Sequence, residues 1–470
     1  MSLLRRAALT GLLALICLPA SADEAKGFRL ATFTADVTPP IGHPLIAGAT
    51  MAPDAKRIDD PLLAIGFVLS GGEKPVVVCS IDWCEIRNDA YDRWRDALAE
   101  AAGTTRERVL VTCIHQHDAP LADLEAQRII ERHAEQQTKR QPPQTKIIDL
   151  EFQEACVQRT ARALKESLSL SKTRPVTHLG FGLGKVAEVA SNRRYVTKAG
   201  KVEFNRSSMS GGKADQAAAP EGEIDPWLRT LSFWNGERPV CALHAYAVHP
   251  MSQWGTGFVT ADFPGLARKR RQVDDPSVHQ IYVSGGSGDV TAGKYNDGSP
   301  ANRAVLADRI YRGMLAAWKE TKRVPLAQLE FRSAPIQFVP RDSPGWKIEE
   351  LTAQLSDEDT RKQSMAALGL SARKRFDAKQ PVDLPVLDIG PAQVVLLPGE
   401  AYVHYQLLAQ KLRPDCFVLT MGYGESAAGF VPPDRAWQEN DGNMDSWCWI
   451  APHTGEQELT AAMRKAMKAK

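Results

Sequence analysis

The sequence predicts an α/β protein, a large mixed sheet flanked by helices. Two observations carry this expectation. Short aliphatic and β-branched runs alternate with amphipathic stretches of helical period along most of the chain. Hydrophobic residues make up 43% of 470 positions, enough for a large core, and no internal repeat or low-complexity array interrupts the pattern.

Taken in order, strands are expected at 28–37, 63–69, 75–81, 108–113, 239–248, 280–284, 394–397 and 416–420. Helices are expected at 89–102, 150–168, 300–318, 400–412 and 455–468. The third of these helices places Leu306, Ile310, Met314 and Trp318 on one stripe, with Ser299 as N-cap and Pro300 at the first helical position. Residues 121–141 keep a helical period but are very polar, with Glu125, Arg128, Glu131, Arg132 and Glu135 on their faces. They are expected to form a solvent-facing insertion. Residues 207–220 are small and polar and are expected to form a mobile surface loop. Residues 23–470 are read as one domain.

The chain opens with Arg5 and Arg6, an apolar run from Ala7 to Pro19, and Ala20-Ser21-Ala22 before two acids. This is the pattern of a secretory signal peptide cleaved near Ala22, so an exported, periplasmic or secreted protein is expected. No later stretch is apolar and long enough for a transmembrane helix. Basic and acidic residues number 58 and 56. The signal holds two arginines and no acid, which leaves the processed chain formally neutral, with nothing to steer it toward nucleic acid or an anionic membrane. The seven cysteines beyond Cys17 are far apart and form no C-x-x-C, which argues against a structural zinc-cysteine site. Their odd number leaves at least one free thiol, and one disulfide among the others has no assignable pairing.

Three segments bear the residue types of a reactive centre. The run Val109-Leu-Val-Thr-Cys-Ile-His115-Gln-His117-Asp118 delivers two histidines at i and i+2, on one face of a strand end. It reads as half a metal or acid/base site, or as two partly exposed loop histidines, with Asp118 available to orient an imidazole. In Cys241-Ala-Leu-His244-Ala-Tyr-Ala-Val-His249-Pro250, only His249 stands at the strand exit and is the candidate ligand. His244 falls on the other face as a hydrogen-bonded core or surface histidine. Glu400 follows the turn Pro398-Gly399 and opens a helix. It serves either to stabilise the helix dipole or to complete a His, His, Glu zinc shell. The glycine-rich turn from Ser284 to Thr291 lets backbone amides approach an oxyanion but matches no nucleotide-binding pattern. Arg193 offers a guanidinium to a carboxylate or an amide oxygen.

The ordered set of segments resembles the catalytic domain of the neutral/alkaline, non-lysosomal ceramidases. The match runs from Thr34-Ala-Asp36-Val-Thr-Pro-Pro40-Ile-Gly42 through Cys113-Ile-His115-Gln-His117-Asp-Ala-Pro120 and Asn192-Arg193 to Ala247-Val-His249-Pro-Met-Ser252. It continues through Ala261-Asp262, Gly288-Asp289-Val-Thr291, Pro398-Gly-Glu400 and Gly429-Phe430-Val-Pro432. The resemblance implies one zinc per chain held by His115, His249 and Glu400, with Phe430 where the family has a tyrosine near the metal. Either water or nearby Tyr423 or Glu425 would take that position.

It also implies His117 as proton carrier, Arg193 as clamp on the substrate oxygen, and Thr291 in place of a family serine. Asp118, Asp262 and Asp289 are the expected outer partners. The implied activity is hydrolysis of an amide (N-acyl) bond by attack of a zinc-bound water on a small-molecule or lipid-like substrate. The chain stops before the family's immunoglobulin-like domain. With the altered Phe430 and Thr291, this argues for an N-acyl substrate other than ceramide. The alternatives are a non-catalytic exported binding protein on the same fold and a metal-independent hydrolase using Ser287 or Thr291. The second lacks the G-x-S-x-G elbow. Oligomeric state is left open.

Overall fold

A computed structural model describes residues 27–46, 51–136 and 145–469. The segment expected to be a signal peptide lies outside them. The chain folds into mixed α/β structure with three principal sheets. The first contains Arg29–Asp36, Leu63–Ser70, Val76–Ile81 and Val109–Cys113, with the short Arg174–Pro175 at one edge. The second runs in the order His279–Ser284, Arg238–Tyr246, Trp227–Asn235, His178–Lys185 and Lys322–Pro325. The third has Glu330–Ile336, Val382–Asp388, Ala392–Leu396 and Phe417–Met421.

Each sheet is antiparallel except for one parallel pair at its edge: Val76–Ile81 with Val109–Cys113, Arg238–Tyr246 with His279–Ser284, and Ala392–Leu396 with Phe417–Met421. A parallel pair needs a crossover, and in each case the crossover contains a helix: Asn88–Ala102, Asp262–Asp274 or Val403–Leu412. Each sheet therefore carries one strand, helix, strand unit. Sites in such units form beyond the carboxyl ends of the parallel strands.

The inner faces of the three sheets share one apolar core. Phe67 and Leu110 from the first sheet meet Phe233, Leu243 and Ile281 from the second and Val394 and Leu419 from the third, all with no more than 1% exposure. The outer faces are covered by helices. Asn88–Ala102 and Leu150–Ser167 lie on the first sheet, Asp262–Asp274 and Pro300–Lys319 on the second, and Val403–Leu412 and Gly455–Met467 on the third. The parallel edges lock to one another. Ser284 Oγ donates to Ile114 O at 2.7 Å, Gly422 N to Ser284 O at 2.8 Å, and Cys113 N to Tyr423 O at 3.2 Å. These bonds bring the carboxyl ends of three parallel pairs to one place.

The expected strands and helices sit within a few residues of their positions. The helix expected from Glu400 begins only at Val403, because Glu400–Ala401 forms a two-residue strand parallel to Phe430–Val431. Ser299 occupies the N-cap position with Pro300 behind it, but its hydroxyl makes no capping bond. Within 121–141, Leu121–Ala122 is a buried strand and Leu124–Gln136 a helix whose Leu124, Ala126, Gln127 and Ile130 are buried. The polar stretch is therefore half embedded, and its last residues lie outside those described. The segment 207–220 is not wholly at the surface either. Ser208 and Ser210 are fully buried, and Ala214–Ala218 forms a short helix. All seven described cysteines are free thiols, so the disulfide considered from sequence is not formed among them.

Candidate metal centre

His115 lies two residues beyond the strand Val109–Cys113 in a left-handed conformation, φ +68°. That backbone is uncommon for a residue with a side chain and tends to mark functional positions. It also replaces the strand alternation expected to aim the two histidines. The His115 amide donates to Trp83 O at 3.1 Å, and its Nδ1 lies 2.9 Å from Cys84 O. A carbonyl can only accept, so Nδ1 carries the proton and the Nε2 lone pair faces the cavity.

His249 stands just beyond Arg238–Tyr246, its amide donating to Val290 O at 2.8 Å. Its Nε2 is 3.1 Å from His115 Nε2 and 3.1 Å from His117 Nε2. Glu400 follows Ala392–Leu396 through Gly399, whose φ of +54° makes the turn. Its Oε2 comes 3.2 Å from His115 Nε2 and 3.7 Å from His249 Nδ1. The three sheets thus contribute one residue each, and the ligand atoms of His115, His249 and Glu400 lie within 4.8 Å of one another. His117 falls outside that set. It forms another such group with Cys84 and His115.

Two facts test whether this set suits a metal. Glu400 is 3% exposed, and its Oε2 accepts no hydrogen bond, a costly state for a buried carboxylate oxygen unless a cation sits against it. The donors are imidazole nitrogen and carboxylate oxygen, the types that bind zinc in three-ligand catalytic sites. The residues present fit that ion.

The electrostatics follow from burial. His249 is pushed well below its ordinary pKa by burial, then by the charges of His115 and Arg193. His117 is lowered for the same reasons. For His115 burial acts downward, but Glu400 and Glu85 outweigh it and the net shift is upward. Glu85, buried beside His115, is raised to about 8, chiefly by burial.

A cavity of about 340 Å³ opens onto the centre, and His115, His117, His249, Glu400, Arg193 and Phe430 all line it. Tyr423 stacks on the His115 ring at 4.1 Å between centroids, and its hydroxyl lies 2.8 Å from Ser287 Oγ and 3.4 Å from His249 Nδ1. The remaining expected residues are placed elsewhere. Glu425 is turned away: its Oε1 accepts from the amides of Asn88 and Ala427 at 2.7 and 3.1 Å. The Thr291 hydroxyl accepts from Gly293 N at 3.0 Å within its own turn and does not line the cavity. Ser287 is not among the residues that line it, and its hydroxyl is engaged with that of Tyr423.

The three aspartates position loops rather than imidazoles. Asp118 accepts from the amides of Gly255 and Thr256 at 2.8 and 2.9 Å and so holds the loop of Trp254, a cavity wall residue. Asp262 accepts from Ser252 N at 2.7 Å, three residues past His249. Asp289 accepts from Asn192 Nδ2 at 2.7 Å and Val403 N at 2.8 Å, and burial raises it to about 6.

Several site residues had no signal in the sequence. Cys84 contributes the carbonyl that fixes the His115 tautomer, and Glu85 sits 3.8 Å from His115 Nδ1. Arg361, at the start of the helix Thr360–Asp377, lines the cavity from a segment with no chemical motif. Trp447, near the end of the chain and packed against Trp449, forms part of the wall.

No protein-family model and no curated protein matches the sequence. Solved structures do match in fold. A neutral ceramidase from Pseudomonas aeruginosa superposes with a TM-score of 0.64 at 14% identity, covering 94% of this chain and 75% of that one. A ceramidase complexed with C2 gives 0.64 at 16% identity, covering 93% and 74%. At such identity the likeness is one of architecture, and it places the mixed α/β chain described here in the fold of the neutral ceramidases.

Proposed function

We propose that this protein is a zinc-dependent hydrolase of an amide (N-acyl) bond, working outside the cytoplasm after removal of its signal peptide. The observation that carries the proposal is the convergence of His115, His249 and Glu400 from three separate sheets, with one buried carboxylate oxygen left without a donor. The ceramidase fold agrees with it.

His115, His249 and Glu400 would hold one zinc ion per chain. Zinc bound there would supply Lewis acidity, the chemistry that activates water and polarises an amide carbonyl. The chain's own contribution is arrangement. The Cys84 carbonyl fixes the His115 tautomer, and Asp262 steadies the turn that follows His249. His117 lines the same cavity with its Nε2 3.1 Å from that of His249, which supports its reading as the group that accepts a proton from water and returns it to the departing amine. Arg193 supplies a guanidinium to a substrate oxygen. Met251, Trp254, Phe430 and Trp447 give the cavity apolar walls that suit an acyl group.

The test is direct. Purified protein should contain one zinc per chain and hydrolyse simple N-acyl amides. Chelation should abolish turnover and zinc should restore it. Stoichiometric zinc without hydrolysis of any N-acyl compound would favour a binding protein instead.

A further inference from the structure

Among the described residues, Glu400 is the cavity's only acidic lining residue, and that carboxylate faces the imidazoles. Two guanidiniums, Arg193 and Arg361, line the same space. The two adjacent arginines after Asn192 are treated differently by the fold. Arg194 is held by both oxygens of Glu439, at 2.5 and 2.6 Å. Arg193 is partly buried and donates from Nε to Gly288 O at 3.3 Å. Among the described residues it has no ion-pair partner, although a guanidinium has four further N–H donors. A cation bound by the two histidines and Glu400 would offset that one carboxylate and leave the Arg193 guanidinium without a counter-charge among the lining residues.

Resting on the amide-hydrolase reading above, we infer that the substrate is an N-acylated amino acid whose carboxylate is gripped by Arg193. Arg193 then recognises the fixed carboxylate of the substrate, not the oxygen of the scissile carbonyl. In the reaction the amide C–N bond breaks and the hydroxyl of water joins the acyl carbon. The remaining proton goes to the amino nitrogen, which leaves as the free amino acid beside a carboxylic acid.

The experiment uses a matched pair, N-hexanoylglycine and N-hexanoylethanolamine, which differ in having a carboxylate or an alcohol beyond the same amide. On the zinc-loaded full chain, kcat/KM for the glycine compound should exceed that for the ethanolamine compound by roughly 10- to 100-fold, chiefly through KM, as a charge-assisted hydrogen-bond pair would give. Arg193→Gln should collapse that ratio toward one. A guanidinium acting on the reacting carbonyl would lower both values together and leave the ratio intact, so an unchanged ratio overturns the inference. Equal use of both amides by the native protein also overturns it, while leaving the amide-hydrolase reading standing. If neither is cleaved, that reading falls. Calorimetric binding of N-hexanoylglycine to native protein but not to Arg193→Gln would then support the carboxylate grip alone, and no binding would sink it.

Discussion

The two histidines of the H-x-H run are two positions apart, yet the structure gives them different neighbours. Both reach His249 Nε2 at 3.1 Å, but His115 Nε2 also lies 3.2 Å from Glu400 Oε2, whereas His117 groups with Cys84 and His115 and stands outside the set that holds Glu400. Replacing a ligand and replacing a proton carrier should therefore differ in metal content. His115→Ala and His249→Ala are each expected to purify with well under one zinc per chain. His117→Ala should keep its zinc and lose at least 100-fold in kcat, within the usual range for a general acid/base. Elemental analysis beside single-turnover assays decides this, and equal zinc loss in all three variants would make His117 a ligand. Phe430 poses a separate question. It is 7% exposed and lines the cavity, with its ring edge-on to Tyr402 at 6.0 Å. Phe430→Tyr should add a hydroxyl to the cavity with little change in melting temperature. A drop matching the roughly 1–3 kcal/mol of a buried, unpartnered hydroxyl would show that the ring end is enclosed in core.

At the scale of elements, much of the site was legible because its residues sit at the ends of apolar strands. The runs before His115, His249 and Glu400 are plain in the sequence, so their segments were found correctly. What joins them was less legible. The Glu400 turn reads as a helix start, because Pro-Gly followed by an acid is a helix-opening pattern. Its pairing with Phe430–Val431 is set by a segment thirty residues away in sequence. The strand His178–Lys185 was missed for a related reason. Glycine stands at positions 180, 182 and 184, which lowers strand propensity, yet these glycines let the helix Pro300–Lys319 lie close. A Cβ on Gly182 would collide with the carbonyl oxygen of Ala317, and one on Gly184 with that of Gly313. Arg361 and Glu85 were invisible because only folding brings them to the cavity. Gly399 offers a test at this scale. Its φ is +54°, and a Cβ there would stand 2.6 Å from Gly429 O, the atom that accepts the Glu400 amide. Gly399→Ala should cost about 1–3 kcal/mol of stability and also weaken zinc retention, because the strain falls on the ligand's own backbone. Stability loss with fully retained zinc would mean that the turn relaxes without moving Glu400.

Across the whole molecule, acid sensitivity is set by buried groups that pull in opposite directions. His43, His244 and His279 are each lowered from 6.5 to about 4, in every case first by burial. Between those values the unfolded chain binds protons that the folded chain refuses, so each histidine makes stability fall as pH drops from 6.5 toward 4. Asp123 and Asp289 are raised from 3.8 to about 6, again first by burial. For them the folded state holds protons that the unfolded chain has lost, so their contribution is fully present below pH 3.8 and disappears as pH rises through 6. The two sets act over nearly the same range and offset one another, which makes the overall pH profile a poor probe of either. A difference between variants isolates one group. His244 is fully buried between Thr230 Oγ1 and Gln280 Oε1, each 2.8 Å from a ring nitrogen, and it lies in the second sheet away from the metal centre. His244→Gln should be less stable than the native protein at pH 7, because the packing and one of these bonds are lost. As pH falls to 4 the native protein alone suffers the histidine penalty, which a shift from 6.5 to about 4 sets at about 3 kcal/mol. The gap between the two proteins should therefore narrow by up to that amount, and its steepest change should come between pH 6 and 4.5. Urea unfolding at a series of pH values measures it, with equal m-values required for the comparison. A gap that stays constant from pH 7 to 4 would mean that His244 binds its proton as readily in the folded core as in the unfolded chain, and the account of a neutral, desolvated imidazole between Thr230 and Gln280 would fail.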